Sequence, residues 1–165
     1  MPRSENEVCV TYLTSEYPAL SHTFIRREIE WLEEAGYTVL IVSVNESDAR
    51  SKLGAVELEH LSRTHFLKAK LFRTGCLAAG LLFFTKPRAL FGMLREAISL
   101  FCTNPGRGPW IIAYFLEACR LVKLMAAYQS HHVHNHFGNA AGTVALIASA
   151  SRQVSYSLSI HGPDI

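Results

Sequence analysis

The first 44 residues contain a strand-helix-strand pattern that restricts the chain to few folds. Residues 8–13 (VCVTYL) are short, apolar and β-branched, which predicts a buried strand. Residues 23–35 carry apolar side chains every three or four positions with charges between them, which predicts an amphipathic helix that ends at Gly36. Residues 37–44 (YTVLIVSV) predict a second strand. Because parallel strands need a crossover helix between them, this order predicts a parallel sheet with right-handed connections.

The same alternation of strand and helix is predicted near the C-terminus, after a long helical region. Residues 53–61 predict a short helix, and residues 65–67 predict a short strand. Residues 71–128 are helical in pattern, with breaks at Lys86-Pro87 and at residues 103–109, so two or three helices fit. The last elements are predicted to be a strand, a helix and a strand, over residues 132–137, 140–150 and 154–160.

A chain of 165 residues fits one domain. We therefore predict an α/β, Rossmann-like domain over residues 1–165, with a parallel sheet and a helical insertion over about 71–128. The net charge of +2 gives no reason to expect a nucleic-acid partner. The four cysteines include no CxxC pair, which favours thiols in a reducing compartment.

The N-terminal residues lack the basic-then-apolar order of a signal peptide. The longest apolar run, residues 76–84, has nine residues, whereas a membrane span needs about 20. The sequence therefore predicts a cytoplasmic protein without a spanning helix.

Charge is distributed unevenly along the chain. Residues 63–107 carry eight basic side chains and a single acidic one, Glu96, and they include several apolar helical stretches. Two interpretations remain open. This region either lies on an anionic membrane surface as a peripheral contact, or forms a helical hairpin packed on the domain with a solvated basic rim.

Three segments follow predicted strands and should meet at one edge of the sheet: residues 14–23, 136–140 and 161–165. In the first segment, Ser21 or Thr23 could cap the following helix and leave backbone N–H groups facing an anion. A plain strand-to-helix turn is the alternative. No glycine-rich GxGxxG follows the first strand, so the dinucleotide-binding fingerprint is missing.

The second segment follows a run of histidines, HHVHNHFG at 131–138. On a strand, His132, His134 and His136 would share one face, which raises the question of a metal. The spacing is permissive, and no carboxylate or cysteine lies nearby in sequence, so we expect no metal here. We expect these side chains to bond ligand hydroxyls, with Gly138 letting the backbone approach a ligand closely.

The third segment, residues 159–164 (SIHGPD), places an imidazole and a carboxylate after the last strand. The alternative is a turn that happens to contain an aspartate.

These segments together resemble a known family. Residues 17–29 (YPALSHTFIRREI), continued by Leu32 and by GYTV at 36–39, are similar to the opening of family-four glycosyltransferases, particularly the colanic-acid and exopolysaccharide biosynthesis enzymes. Residues 134–138 (HNHFG) and 159–164 (SIHGPD) resemble two further segments of that family. The three motifs occur in the family's order but cover a minority of the chain.

The resemblance implies a GT-B fold, in which two Rossmann-like domains face each other across a cleft. This chain would be the N-terminal, acceptor-side domain of a retaining glycosyltransferase. Such an enzyme would transfer a sugar from a UDP- or GDP-sugar to a polysaccharide or lipid-linked acceptor, without an obligatory metal or a permanently bound cofactor.

The resemblance also assigns residues. His161 would lie near the donor sugar and the transferred bond as the catalytic residue. The residues expected on the acceptor side of the cleft are Ser21, Thr23, Glu28, His134, His136, Gly138 and Asp164.

The chain departs from the family in length, because it ends directly after the third motif. By this resemblance the 165 residues would lack the C-terminal donor-binding domain, so the chain alone is expected to be inactive. A cytoplasmic location, peripheral on the inner membrane face, is expected for the full enzyme. A non-catalytic Rossmann-like binding or interaction module, as a truncated or split homologue, is the alternative, and a small metal-binding protein is a third class.

Overall fold

The elements alternate between strand and helix as the sequence predicts, except for a block of three consecutive helices in the middle. A computed structural model describes residues 8–19, 22–46 and 53–160. The strands are β1 (Cys9–Glu16), β2 (Thr38–Asn45), β3 (His65–Phe66), β4 (His132–His136) and β5 (Ser155–Ser159). The helices are α1 (Thr23–Glu34), α2 (Ala55–Arg63), α3 (Leu71–Thr85), α4 (Pro87–Thr103), α5 (Gly108–Ala127) and α6 (Ala140–Ser149), with a short 3-10 helix at Pro105–Arg107.

The strands form one five-stranded sheet in the order β3-β2-β1-β4-β5. Every neighbouring pair is parallel. This order, with helices on both faces, is that of a Rossmann-like domain, so the predicted α/β class with a parallel sheet is confirmed.

The first β-α-β unit forms because α1 has one apolar stripe that the sheet covers. Ile25 and Ile29 are fully buried and pack with Tyr12 of β1 and Ile41 of β2. Burying each isoleucine contributes on the order of 1.5–3 kcal/mol. The turn into β2 places Gly36 at a φ of +89°, a left-handed conformation that glycine adopts without steric cost.

The larger core lies on the other face of the sheet. Leu13 and Val42 project to this face, because side chains alternate along a strand, and they pack with Val133 of β4. Buried residues of α3, α4, α5 and α6 cover them. The helical insertion therefore supplies much of the apolar layer on this side.

The insertion divides where the sequence predicts breaks. Lys86 separates α3 from α4, and Pro87 occupies the first turn of α4, where its missing N–H costs nothing. Gly75 of α3 lies against Leu116 of α5, where an added Cβ would come within 2.8 Å of the Leu116 Cβ. The glycine allows these two helices to pack closely.

Two details of the prediction are wrong. β1 continues to Glu16, past the predicted end at residue 13, because Thr14 and Glu16 pair with Ser43 and Asn45 of β2. Thr23 is the first residue of α1 and not its cap, since His22 occupies the N-cap position, and no side-chain cap hydrogen bond forms there among the described residues. Ser21, the other candidate cap, lies outside the described residues.

No helix within the described ranges combines the length and the apolar character that a membrane crossing requires. No disulfide links the four cysteines. Burial is divided among them: Cys9 and Cys119 are buried, whereas Cys76 and Cys102 are exposed.

Candidate functional site

The candidate site lies at the carboxyl ends of β1 and β4, the two adjacent central strands. The helix that follows β1 packs on one face of the sheet, and the helix that follows β4 packs on the other. The two connections therefore leave the sheet in opposite directions and open a crevice between the strand ends. In open parallel sheets, ligands bind in this crevice.

Glu28 and His136 meet at this crevice although 108 positions separate them in sequence. Glu28 projects from α1, and its Oε2 lies 3.3 Å from Nε2 of His136 at the end of β4. His136 is 3% exposed, whereas Glu28 is 41% exposed. The carboxylate of Glu28 can therefore reach a ligand, while the buried imidazole of His136 orients that carboxylate.

Tyr12 fixes the other oxygen of this carboxylate. Its hydroxyl donates to Glu28 Oε1 at 2.7 Å. Burial of Tyr12, reinforced by the hydrogen bond to Glu28 and by its negative charge, raises the pKa of the hydroxyl above its usual value. The hydroxyl therefore remains a donor throughout the physiological pH range.

A row of serines on β5 holds the histidines of β4. Register places His132, His134 and His136 beside Ser155, Ser157 and Ser159. The Ser157 hydroxyl bonds Nδ1 of His134 at 2.7 Å and Nε2 of His132 at 2.9 Å, and the Ser159 hydroxyl lies 3.3 Å from Nε2 of His134. This face of β4 and β5 is therefore polar and organised by side-chain hydrogen bonds.

Aromatic rings border the polar groups. Phe137 follows β4, and its ring centroid lies 5.3 Å from His22 and 6.1 Å from Phe24. Phe24 also contacts His136 edge-on, at 5.6 Å. Phe137 has a φ of 75°, which is unfavourable for a residue with a side chain and is often found where a site needs a particular orientation.

A chain of hydrogen bonds runs along the same edge of the sheet. Ser15 of β1 donates to Asn139 Oδ1 at 2.5 Å, and Asn139 caps α6 by accepting from the backbone N–H of Ala141. The Asn45 side chain donates to the Ser15 carbonyl at 2.8 Å and accepts from Lys68 Nζ at 2.6 Å. These bonds hold the ends of β1 and β2 and the start of α6 in fixed relative positions.

Of the predicted site residues, the structure brings Glu28, His134 and His136 together. Thr23 lies at the start of α1 and is exposed. Gly138 is exposed in the turn between β4 and α6, where the left-handed residue is its neighbour Phe137. The predicted residues Ser21, His161 and Asp164 lie outside the described part of the chain.

Three of these side chains have the arrangement of a potential metal site. One ligand atom each from Glu28, His134 and His136 lies within 4.8 Å of the others. The expectation that no carboxylate accompanies the histidines is therefore wrong, because it considered only neighbours in sequence. The surrounding hydroxyls of Tyr12, Ser157 and Ser159 equally suit a site that bonds a polyol.

Several residues of the site were missed by the sequence analysis. The serines of β5 are visible in the alternating SYSLS pattern, which predicts one polar face opposite one apolar face. Tyr12 belongs to the predicted first strand and Phe24 to the motif at residues 17–29, but neither was assigned to the site. Their part in the site follows from β4 pairing with β1, which no local pattern reveals.

The fold and the site together define a Rossmann-like parallel α/β domain with a polar and aromatic crevice at its topological switch point. No family model, no curated protein and no solved structure matches the chain.

Proposed function

We propose that the chain is the N-terminal, acceptor-side half of a retaining GT-B glycosyltransferase. The proposed enzyme transfers a sugar from a UDP- or GDP-sugar to a polysaccharide or a lipid-linked acceptor. The observation that carries this proposal is the cluster of Glu28, His134 and His136 beside the aromatic rings of Phe24 and Phe137 at the switch point of the sheet.

The chemistry of the cluster matches that of a saccharide. Each sugar hydroxyl both donates and accepts a hydrogen bond, and a carboxylate beside an imidazole meets both needs. The C–H faces of a sugar ring are apolar, and Phe24 and Phe137 offer apolar surface next to the polar groups. Pockets that combine aromatic walls with a few oriented polar groups are typical small-molecule sites.

The sequence motifs support the same interpretation. The motif at 17–29 supplies Phe24 and Glu28 to the site, and the motif at 134–138 supplies His134, His136 and Phe137. The described start of the third motif also lies there, since Ser159 pairs with His136. By resemblance, His161 would stabilise charge that develops on the transferred sugar, and Asp164 would shape its loop.

Saccharide titration of the chain tests this proposal. Calorimetry or NMR with a panel of mono- and oligosaccharides, including lipid-linked ones, should find a bound class. The His134→Ala variant should bind that class at least tenfold more weakly, a loss of about 1.4 kcal/mol. His132→Ala is the matched control, because His132 lies on the same strand face and also bonds Ser157 but is not a member of the cluster of Glu28, His134 and His136.

Other titrants separate the competing functions. UDP and GDP should bind the chain weakly or not at all, because the proposed donor site belongs to the other half of the enzyme. Tight binding of NAD without saccharide binding would make the chain a dinucleotide-binding module. Stoichiometric zinc in protein purified without a histidine tag, lost in the Glu28→Gln variant, would make the cluster a metal site.

A further inference from the structure

We propose that the outward faces of α3 and α4 bind the surface of an anionic lipid bilayer. We call these faces the α3–α4 surface. Its exposed apolar side chains include Phe72, Leu77, Leu81, Phe83, Phe84 and Phe91. Its basic side chains are Lys70, Arg73, Lys86, Arg88 and Arg95.

Helical periodicity places the apolar side chains of α3 on the side away from the core. Gly75, Ala78 and Leu82 are buried and face the domain. Leu77 and Phe84 lie on the opposite side, and Phe84 is 83% exposed. Moving a side chain of this size out of water lowers the free energy. On the α3–α4 surface, no described residue covers Phe84.

Basic and apolar groups occupy the same face. Arg73, Leu77, Leu81 and Phe84 line one open groove along α3. Lys70 and Phe72 line an adjoining depression, which also includes Arg73. Side chains of this kind bind a bilayer with the apolar groups inserted below the headgroups and the cations among the phosphates.

The pattern continues on α4. Ala89, Met93 and Ala97 are buried against the domain. Arg88, Phe91 and Arg95 are exposed on the other side. Lys86, at the junction of the two helices, donates to the neutral side chain of Gln153. The two helices therefore present similar faces, apolar residues with a basic border.

The charge of the α3–α4 surface indicates which kind of partner could cover it. Within the described residues, none of the five basic groups of the α3–α4 surface forms an ion pair with an acidic side chain. Between residues 63 and 107 the only acidic residue is Glu96. Two copies of the chain packed through this surface would bring like charges together, whereas an anionic bilayer supplies the opposite charge and an apolar interior.

Vesicle cosedimentation tests the proposal independently of any sugar transfer. The chain should sediment with phosphatidylcholine vesicles that contain phosphatidylglycerol and remain in solution with phosphatidylcholine alone. Raising the salt to about 0.5 M should weaken binding, because screening shortens the range of the attraction. The Arg73→Gln/Arg88→Gln double variant should lose about fivefold in affinity per charge removed.

The apolar contribution needs its own variant. Phe84→Ser should weaken vesicle binding about tenfold or more, since the lost burial of one phenylalanine is of that size. The matched controls are Arg27→Gln and Trp31→Ser on α1, which packs on the other face of the sheet. Trp31 is 64% exposed, so its replacement removes a comparable apolar group without disturbing the core.

Three results would overturn the proposal. One is no sedimentation with anionic vesicles at low salt, and another is equal binding by the wild type and the double variant. The third is a protein that does not bind vesicles but self-associates as its concentration rises, as seen by light scattering, and that loses this self-association in Phe84→Ser. That last result would make the α3–α4 surface an interface between copies.

Discussion

At the scale of single residues, the least expected feature is a carboxylate inside the helical layer. Glu117 of α5 is fully buried, and neither of its oxygens has a hydrogen-bond partner among the described residues. Burial raises the pKa of Glu117 to about 7, although the positive charges of Lys68 and Arg120 act in the opposite direction. The Arg120 guanidinium is itself occupied, because it donates to the backbone carbonyls of Leu67 and Ala69.

This burial predicts a pH-dependent stability. In the unfolded chain the carboxyl ionises near its usual value of 4.5, whereas in the folded protein it holds its proton to about 7. Ionisation therefore destabilises the fold increasingly as pH rises through this window, by up to about 3 kcal/mol. Glu117→Gln should be more stable than the wild type at pH 8 and similar to it at pH 5, as measured by urea unfolding.

The difference between the two proteins isolates Glu117 from the histidines. Burial lowers the pKa values of His22, His60 and His65, so their contribution to stability is lost as pH falls below about 6.5. That loss is common to both proteins and cancels in the difference. The exposed Glu34→Gln serves as the control and should leave the pH profile unchanged. Parallel profiles for wild type and Glu117→Gln would contradict the assignment.

At the scale of elements, the close passage of α4 past the end of α6 depends on a glycine. A Cβ added at Gly92 would collide with the backbone carbonyl oxygen of Ala150. Gly80, in the middle of α3, has open space where its Cβ would be. The two glycines therefore have opposite roles although both lie inside helices.

Alanine substitutions at these two glycines should change the free energy of unfolding in opposite directions. Gly80→Ala should stabilise the protein by about 0.5–1 kcal/mol through helix propensity alone. Gly92→Ala gains the same propensity but must move α4 away from α6, and we expect a net loss of about 1–2 kcal/mol. Thermal and urea unfolding of both variants measures these changes in stability. An equal gain from both substitutions would mean that the two helices are less closely packed than described.

At the scale of the whole molecule, the sheet joins two apolar layers, and β1 lies at its centre. This strand pairs with β2 on one side and with β4 on the other, and both of its faces are covered. β3 has only two residues and lies at one edge, and β5 lies at the other. The layers and the candidate crevice therefore share the same central strand.

Native-state hydrogen exchange should report this arrangement. Amides of β1 and of its partners β2 and β4 should exchange only through global unfolding, whereas those of β5 should exchange faster through local opening. The ranking can be read by mass spectrometry or NMR as denaturant is added in small steps. Protection of β5 equal to that of β1 would show that another part of the protein covers this edge.

The sequence by itself determined the elements and the fold class. Strands and helices follow from local periodicity, and a glycine or proline that ends an element acts within a few residues. The pattern of residues 8–44 was therefore sufficient to predict the parallel pairing of β1 and β2. The resemblance also singled out Glu28 and His136 individually. The end of β1 was misplaced because Thr14 and Glu16 are polar, and their pairing with β2 depends on register and not on hydrophobicity.

Only the tertiary structure decided which side chains meet. Glu28 reaches His136 because β4 lies beside β1 in the sheet, although 108 positions separate the two residues in sequence. Tertiary packing also turned Phe84 and Arg73 outward. Contacts between residues distant in sequence depend on the free energy of the whole arrangement, to which each local segment contributes only a part.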